Sequence, residues 1–370
     1  MSSNNPSNKN RLYWVDYTKG LAILGVILFH FFQNYPKEIN LISILDRAGA
    51  KVGYAAVDIF FVMAGFTTSY ILLLKNQKNN SEQLEVNWKD WVLKRINRIY
   101  PGYILAVVLS LLLYYFFGNR NIQLNFNLLL SIIGLAGYKF QAINPGFWFF
   151  TVILEAYLVI PLIFIICNSQ PAKILWLGII GGVITKIACI LIDNKSQVYW
   201  YLLQNDFLGS YFFQLCLGLY WGIIFWKKST FRKIDYTVVT GVFTTGLVVY
   251  LSMTWQKIDI IYMEGFDILF TPFFFIACYL IFELLSKQQK KIRYILELLS
   301  LLGIYSYQIY LIHQPLYFVL FGPLTKTFDV EPYLKVVIVM IITMVLLTFY
   351  LFTFIFLENF FWKQVLEKKN

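Results

Sequence analysis

Apolar runs of about 18 to 25 residues constrain this chain most, because an apolar segment of that length spans the hydrocarbon core of a bilayer. Apolar residues make up 59% and charged residues 14% of the 370 residues, unlike a soluble domain. We therefore expect an all-α, polytopic transmembrane helical bundle. The ten predicted spans are 15–33, 53–74, 99–117, 147–167, 174–192, 207–226, 236–255, 266–285, 303–322 and 334–357.

A further apolar stretch, 126–137, is too short to cross a bilayer, and we expect a re-entrant or interfacial segment there. Residues 1–10 are polar and are predicted to form a disordered tail. Residues 11–362 then form a single transmembrane domain, and residues 363–370 form a second tail.

The Lys and Arg residues of the loops predict the orientation, because cytoplasmic loops carry an excess of them. With a cytoplasmic N-terminus, the inner loops and tails hold 20 of these residues and the outer loops hold 8. Both termini are then cytoplasmic, in a multi-pass protein of the inner (plasma) membrane. This topology accounts for the net charge of +11. No nucleic-acid partner is expected, since the sequence lacks a basic face of the required pattern.

Ionisable side chains at membrane depth are candidates for function, because each costs roughly 2.5–3.5 kcal/mol on insertion scales. His30 comes first, and Lys19 precedes it in the same span. Eleven residues of helix make three turns plus about 20°, so the two side chains share a face, about 16 Å apart along the axis. They suggest the two ends of a substrate path. The structural alternative is an imidazole bonded to a neighbouring helix.

The second histidine, His313, also lies in a span, and no histidine lies in a loop. Tyr310 falls on the same face if the segment is helical. Substrate binding and a purely structural role are equally open for His313. No metal site is expected, because the chain has two histidines and its four cysteines have unrelated spacings.

Asp58 and Glu155 are carboxylates within predicted spans, and each needs a cation or a proton as partner. For Asp58, a structural ion pair competes with a role in binding. Glu155 is expected at the depth of His30, which makes it a candidate to orient the imidazole or to bind a hydroxyl group.

Arg95 and Arg98 are three residues apart and are therefore neighbours on a helical face at the cytoplasmic end of a span. Guanidinium groups bind phosphate groups through paired hydrogen bonds. The alternative is contact with lipid headgroups.

Four blocks of sequence, in this order, resemble the membrane acyltransferase 3 family. They are 16–23 with His30, 57–65, 95–101, and the pair 148–157 and 306–315. Ala64 departs from the family pattern, which usually has serine there, so any hydroxyl contact from that position is absent. Lys19 replaces the commoner arginine and keeps the charge.

The resemblance implies that an acyl group, often acetyl, passes from cytoplasmic acyl-CoA to a sugar hydroxyl of an envelope polysaccharide or lipid-linked glycan. His30 would be the catalytic imidazole, and Lys19, Arg95 and Arg98 would belong to the acyl-CoA path. Trp148, with Asp58, Tyr310 and His313, would serve the acceptor, and no permanently bound cofactor is implied.

Two chemical routes stay open at this stage. His30 could remove the proton of the acceptor hydroxyl, or it could carry the acyl group itself. A glycolipid transporter or flippase would use the same buried polar residues. The unrelated fold of the membrane-bound O-acyltransferases would leave Lys19 and the Arg95–Arg98 pair unexplained.

Overall fold

The computed structural model describes residues 11–37, 39–78, 86–118, 122–203 and 207–367, so the predicted tail 1–10 lies outside the described residues. The described residues form helices without strands. The α-helices are α1 (Tyr13–Asn34), α2 (Asn40–Lys78), α3 (Trp88–Phe117), α4 (Phe126–Ile133), α5 (Trp148–Ile166), α6 (Pro171–Leu191), α7 (Gln197–Leu203), α8 (Phe212–Lys228), α9 (Lys233–Trp255), α10 (Phe266–Ser286), α11 (Gln289–Ile304), α12 (Ser306–Thr327) and α13 (Pro332–Glu367).

Within this described part, nine helical segments are long and apolar enough to cross a membrane. A tenth candidate is the pair α11 and α12, which are bent by 79° at Tyr305. The all-α, polytopic bundle predicted from the sequence is confirmed. The last helix continues to Glu367, into the stretch that was expected to be a tail.

The short apolar stretch at 126–137 does not cross the bundle. It holds α4, whose eight residues measure about 12 Å. The helix ends at Gly134, which has a φ of 77°. Side chains of α3 and α5 hold this end: the Tyr100 hydroxyl donates to the Ile133 carbonyl (2.6 Å), and Thr151 Oγ1 donates to the Gly134 carbonyl (2.9 Å). The prediction of a non-spanning segment is confirmed.

Glycines let α2 and α8 pack with their backbones in contact, as small residues do at helix interfaces in membranes. A Cβ atom at Gly65 would lie 2.2 Å from the Leu215 carbonyl oxygen, and one at Gly218 would lie 2.0 Å from that of Val62. Neither position could hold a larger residue without moving the facing backbone.

The first helix is held against α11 in the same way. A Cβ atom at Gly20 would lie 2.0 Å from the Leu299 carbonyl oxygen, and one at Gly303 would lie 1.9 Å from that of Asp16. These contacts fix the height of α1 next to the bend that leads into α12. The positions of Lys19 and His30 depend on that height.

We predict that Gly218→Ala destabilises the protein by about 1–3 kcal/mol, because the added methyl group forces α2 and α8 apart. Gly241→Ala in α9 is the matched control, since a Cβ atom there meets nothing within 4 Å. Thermal unfolding in detergent, followed by intrinsic fluorescence, compares the two variants. An unchanged melting temperature for Gly218→Ala would contradict the close approach.

Candidate active site

Two cavities lie along α1, α2 and α12. The cationic cavity has a volume of about 220 Å³, and its wall includes Lys19, Arg95 and Arg98. The histidine cavity has a volume of about 310 Å³, and its wall includes His30. Tyr310 lines both. The single path expected from the sequence is thus divided in two.

The helices each present one stripe of side chains to these cavities. On α2, Gly53 and Val57 line the histidine cavity, while Phe60, Ala64 and Thr67 line the cationic cavity. Their spacing of three and four residues is that of one helical face. The α2 wall therefore runs without interruption from one cavity to the other.

The stripe on α1 is the one that the sequence predicts. Lys19 lines the cationic cavity, and Val26, His30 and Gln33 line the histidine cavity. The shared face of Lys19 and His30 is confirmed, and the two residues belong to different chambers.

His30 is hydrogen-bonded to the second histidine of the chain. Its Nδ1 lies 2.7 Å from Nε2 of His313, and the two rings are stacked with centroids 5.0 Å apart. Nδ1 of His313 lies 3.0 Å from the Ile309 carbonyl oxygen. A carbonyl oxygen only accepts, so Nδ1 of His313 carries the hydrogen.

This geometry fixes the tautomer of the neutral pair, because the ring nitrogens of a neutral imidazole are one donor and one acceptor. Nε2 of His313 accepts, and Nδ1–H of His30 donates to it. Nε2 of His30 then bears the free lone pair, and no hydrogen bond within the described part of the chain occupies it. His30 is therefore suited to accept a proton from a molecule in the histidine cavity.

His313 is fully buried and lies behind His30, outside the wall of either cavity. Its place behind His30 supports a role in holding that imidazole, and contact between His313 and substrate stays a prediction. Its neighbour Gln314 lines the histidine cavity instead. One residue turns a helix by about 100°, which separates the two side chains.

The cationic cavity concentrates positive charge. The Arg95 guanidinium packs over the rings of Trp91 (5.3 Å) and Tyr157 (5.6 Å), which orient it by cation–π attraction. Arg98 is exposed one turn further along α3. The described residues that line this cavity include no Asp or Glu, so its cations are available to an anionic ligand.

Aromatic rings separate the two chambers. Tyr310 packs against Phe149 with ring centroids 4.8 Å apart, and it also contacts the His313 ring edge-on at 5.7 Å. Phe149 belongs to the wall of the cationic cavity. Trp148, the residue before it, lines the histidine cavity, where Tyr211 stacks against the indole at 5.6 Å.

Asp58 lies in neither cavity wall. It is buried and accepts hydrogen bonds from Thr271 Oγ1 (2.9 Å) and Gln214 Nε2 (3.1 Å). Gln214 Nε2 also donates to Asp267, which forms a buried ion pair with Lys186 at 2.8 Å. The carboxylate points into this network, one residue away from the Val57 stripe, which favours the structural alternative, and contact between Asp58 and substrate stays a prediction.

Glu155 is likewise absent from both cavity walls, and the partner of the His30 imidazole is His313. Glu155 Oε2 accepts a hydrogen bond from the Leu208 backbone N–H (2.7 Å), at the turn that leads into α8. The face of α5 that lines the cationic cavity carries Ile153 and Tyr157. Glu155 lies two residues from each, about 200° around the helix. The matched depth was therefore insufficient to place it.

Comparison with known proteins agrees with the resemblance. The sequence model of a family described as an acyltransferase domain matches residues 12–358. The chain belongs to the acyltransferase 3 family. It is thus a multi-pass protein of a membrane acyltransferase family, and no solved structure gives a significant match.

Relatives of this chain include the peptidoglycan O-acetyltransferase OatA of Listeria monocytogenes, which is 25% identical over 207 residues, and the O-acetyltransferase OatA of Staphylococcus aureus, 23% identical over 286 residues. The matches cover 50% and 71% of this chain. They cover 30% and 40% of the relatives, so the chain spans less than half of their length.

Several residues of the cavity walls were not selected from the sequence. Gln33, Asn34 and Tyr54 line the histidine cavity. Gln33 and Asn34 lie at the end of α1, and Tyr54 lies one turn before Asp58 on α2. Extending the Lys19–His30 stripe by three residues would have found Gln33. Asp267 would have been found by the test applied to Asp58, since it also lies in an apolar run.

We predict that both imidazoles of the protein carry their hydrogen on Nδ1 when neutral. The chain holds two histidines, so ¹⁵N NMR of histidine-labelled protein resolves them directly. The His313→Gln variant retains one imidazole and assigns the spectrum. A His30 ring protonated on Nε2 in the wild-type protein, with both rings neutral, would contradict the hydrogen-bonded chain.

Proposed function

We propose that this protein is an integral membrane O-acyltransferase that transfers an acyl group, acetyl in the first instance, from cytoplasmic acyl-CoA to a sugar hydroxyl of a cell-envelope glycan. The observation that carries the proposal is His30, whose Nε2 is free in one cavity while three cations line the adjoining cavity. The relatives' names, O-acetyltransferase and peptidoglycan O-acetyltransferase, support acetyl as the group and a glycan as the acceptor.

The cationic cavity suits the donor. Coenzyme A carries its phosphates at the nucleotide end and its thioester at the end of an uncharged arm. Lys19, Arg95 and Arg98 would hold the phosphates by charge-assisted hydrogen bonds. The arm would then extend along the α1 stripe over the roughly 16 Å that separate the levels of Lys19 and His30.

The side of the membrane follows from charge. Arg95 and Arg98 lie at the end of the stretch 75–98, which holds six Lys and Arg residues. Loops rich in Lys and Arg are retained in the cytoplasm. We therefore orient the cationic cavity toward the cytoplasm, where acyl-CoA is made. The histidine cavity then opens toward the acceptor, on the outer side.

Direct transfer uses His30 as general base and then as general acid. Nε2 takes the proton of the acceptor hydroxyl while the hydroxyl oxygen attacks the thioester carbonyl carbon. The C–O bond forms, the C–S bond breaks, and the imidazolium returns its proton to the CoA thiolate. His313 holds the ring in the required tautomer and shares the positive charge through its hydrogen bond. A two-step route through acyl-histidine would use the same nitrogen.

We predict that His30→Ala lowers the rate of acyl transfer by about 10²- to 10⁴-fold, because it removes the proton acceptor. The measurement is transfer of labelled acetyl from acetyl-CoA to glycan fragments by the purified protein in proteoliposomes. Size-exclusion elution and thermal stability must match those of the wild type. Wild-type activity in a folded His30→Ala protein would refute the proposed function.

We predict that the double variant Arg95→Ala/Arg98→Ala raises KM for acetyl-CoA at least about tenfold, because charge-assisted hydrogen bonds to the phosphates are lost. The KM for S-acetylpantetheine should stay unchanged, since this donor has the thioester but lacks the nucleotide.

Lys94→Ala is the matched control for this variant. Lys94 is a cation of the same helix that is exposed and outside the wall of either cavity. An equal rise in KM for both donors would show that the arginines do not act on the nucleotide end.

A further inference from the structure

The histidine cavity is free of formal charge. None of the described residues that line it is Asp, Glu, Lys or Arg. The cationic cavity, which it meets at Tyr310, has three cations in its wall. The walls of the two chambers thus differ in charge, although one helical stripe runs through both.

The polar groups of the histidine cavity are amides and phenols. Gln314 Oε1 accepts a hydrogen bond from the Gly146 backbone N–H (2.9 Å), so its amide NH₂ can still donate. Asn34 Nδ2 donates to the His30 carbonyl (2.7 Å), so its Oδ1 can still accept. One donor and one acceptor near His30 match hydroxyl groups, which do both.

Aromatic surface supplies the rest of the wall. Trp148 lines the cavity with its indole supported by Tyr211, and Phe29 and Phe318 line it as well. The negative face of an aromatic ring attracts the C–H groups on the apolar face of a sugar ring. A volume of about 310 Å³ is at the lower end of small-molecule sites, which fits one sugar unit.

A carboxylate or phosphate group in this cavity would find no cation. Burying an unpaired charge is costly, whereas burying a hydroxyl group that makes hydrogen bonds is tolerated. We propose that the histidine cavity is the acceptor subsite and that it accepts an uncharged sugar unit and excludes an anionic one. This inference rests on the proposed function and adds the class of acceptor to it.

The test compares two acceptors of similar shape, one with a carboxylate and one with an uncharged carboxamide. N-acetylglucosaminyl-N-acetylmuramic acid is offered with its carboxyl group free or converted to the amide, and labelled acetyl is followed from acetyl-CoA in proteoliposomes. We expect kcat/KM for the amide to exceed that for the free acid at least about tenfold, because the free carboxylate stays unpaired. Equal kcat/KM values would overturn the charge selection while leaving the acyltransferase activity in place.

A variant gives the converse measurement. Gln33→Lys places a cation in the wall and should raise the acid-to-amide ratio of kcat/KM, and Gln33→Met is the uncharged control of similar length. A ratio that stays at the wild-type value in Gln33→Lys, with both acceptors still acetylated, would also contradict the proposal.

Acetylation of neither acceptor would refute the proposed function and would still leave the selection measurable. Binding of the two disaccharides to the wild-type protein is then compared by saturation-transfer NMR. Tighter binding of the amide supports an uncharged acceptor subsite, and equal binding overturns it.

Discussion

The hydrogen bond between His30 and His313 joins two helices whose residues are 283 positions apart, and the chemistry of the site depends on it. The Ile309 carbonyl fixes the hydrogen on His313, which in turn fixes the hydrogen on His30. This arrangement tolerates little movement, because hydrogen bonds weaken steeply with distance and angle. The backbone contacts at Gly20 and Gly303 supply that precision, since they set the height of α1 against the bend before α12.

A second constraint is the distribution of charge along the α1 stripe. Lys186 is buried and paired with Asp267, whereas Lys19 is half-buried and lies in the wall of the cationic cavity. Unpaired cations are expensive at membrane depth. Among the described residues, Lys19, Arg95 and Arg98 line the cationic cavity, and no Lys or Arg lines the histidine cavity. The two cavities therefore differ in the ligand charge that their walls can balance.

The sequence was sufficient for the bundle, because span length and hydropathy follow directly from bilayer thickness. It was also sufficient for Lys19 and His30, because helical periodicity within one span fixes their shared face. Contacts between spans were beyond its reach. Glu155 was placed by depth and Asp58 by its position in a span, and rotation about α5 and α2 directs both side chains to partners outside the cavity walls. His313 was selected correctly as a polar residue in a span, but only the packing of α12 on α1 shows that it faces His30.

An aromatic layer lies between the chamber lined by cations and the chamber that holds His30. Tyr310 and Phe149 offer rings where a continuous channel would need polar walls. The phosphates of a CoA donor would lose three cations and meet an uncharged chamber if they passed this layer. The thioester arm of CoA carries no charge, so it loses no ion pair when it passes this layer. Under the proposed function, the same barrier would retain the nucleotide end on one side and admit the reacting end to the other, so that one extended ligand would bind in the cationic cavity and react at His30.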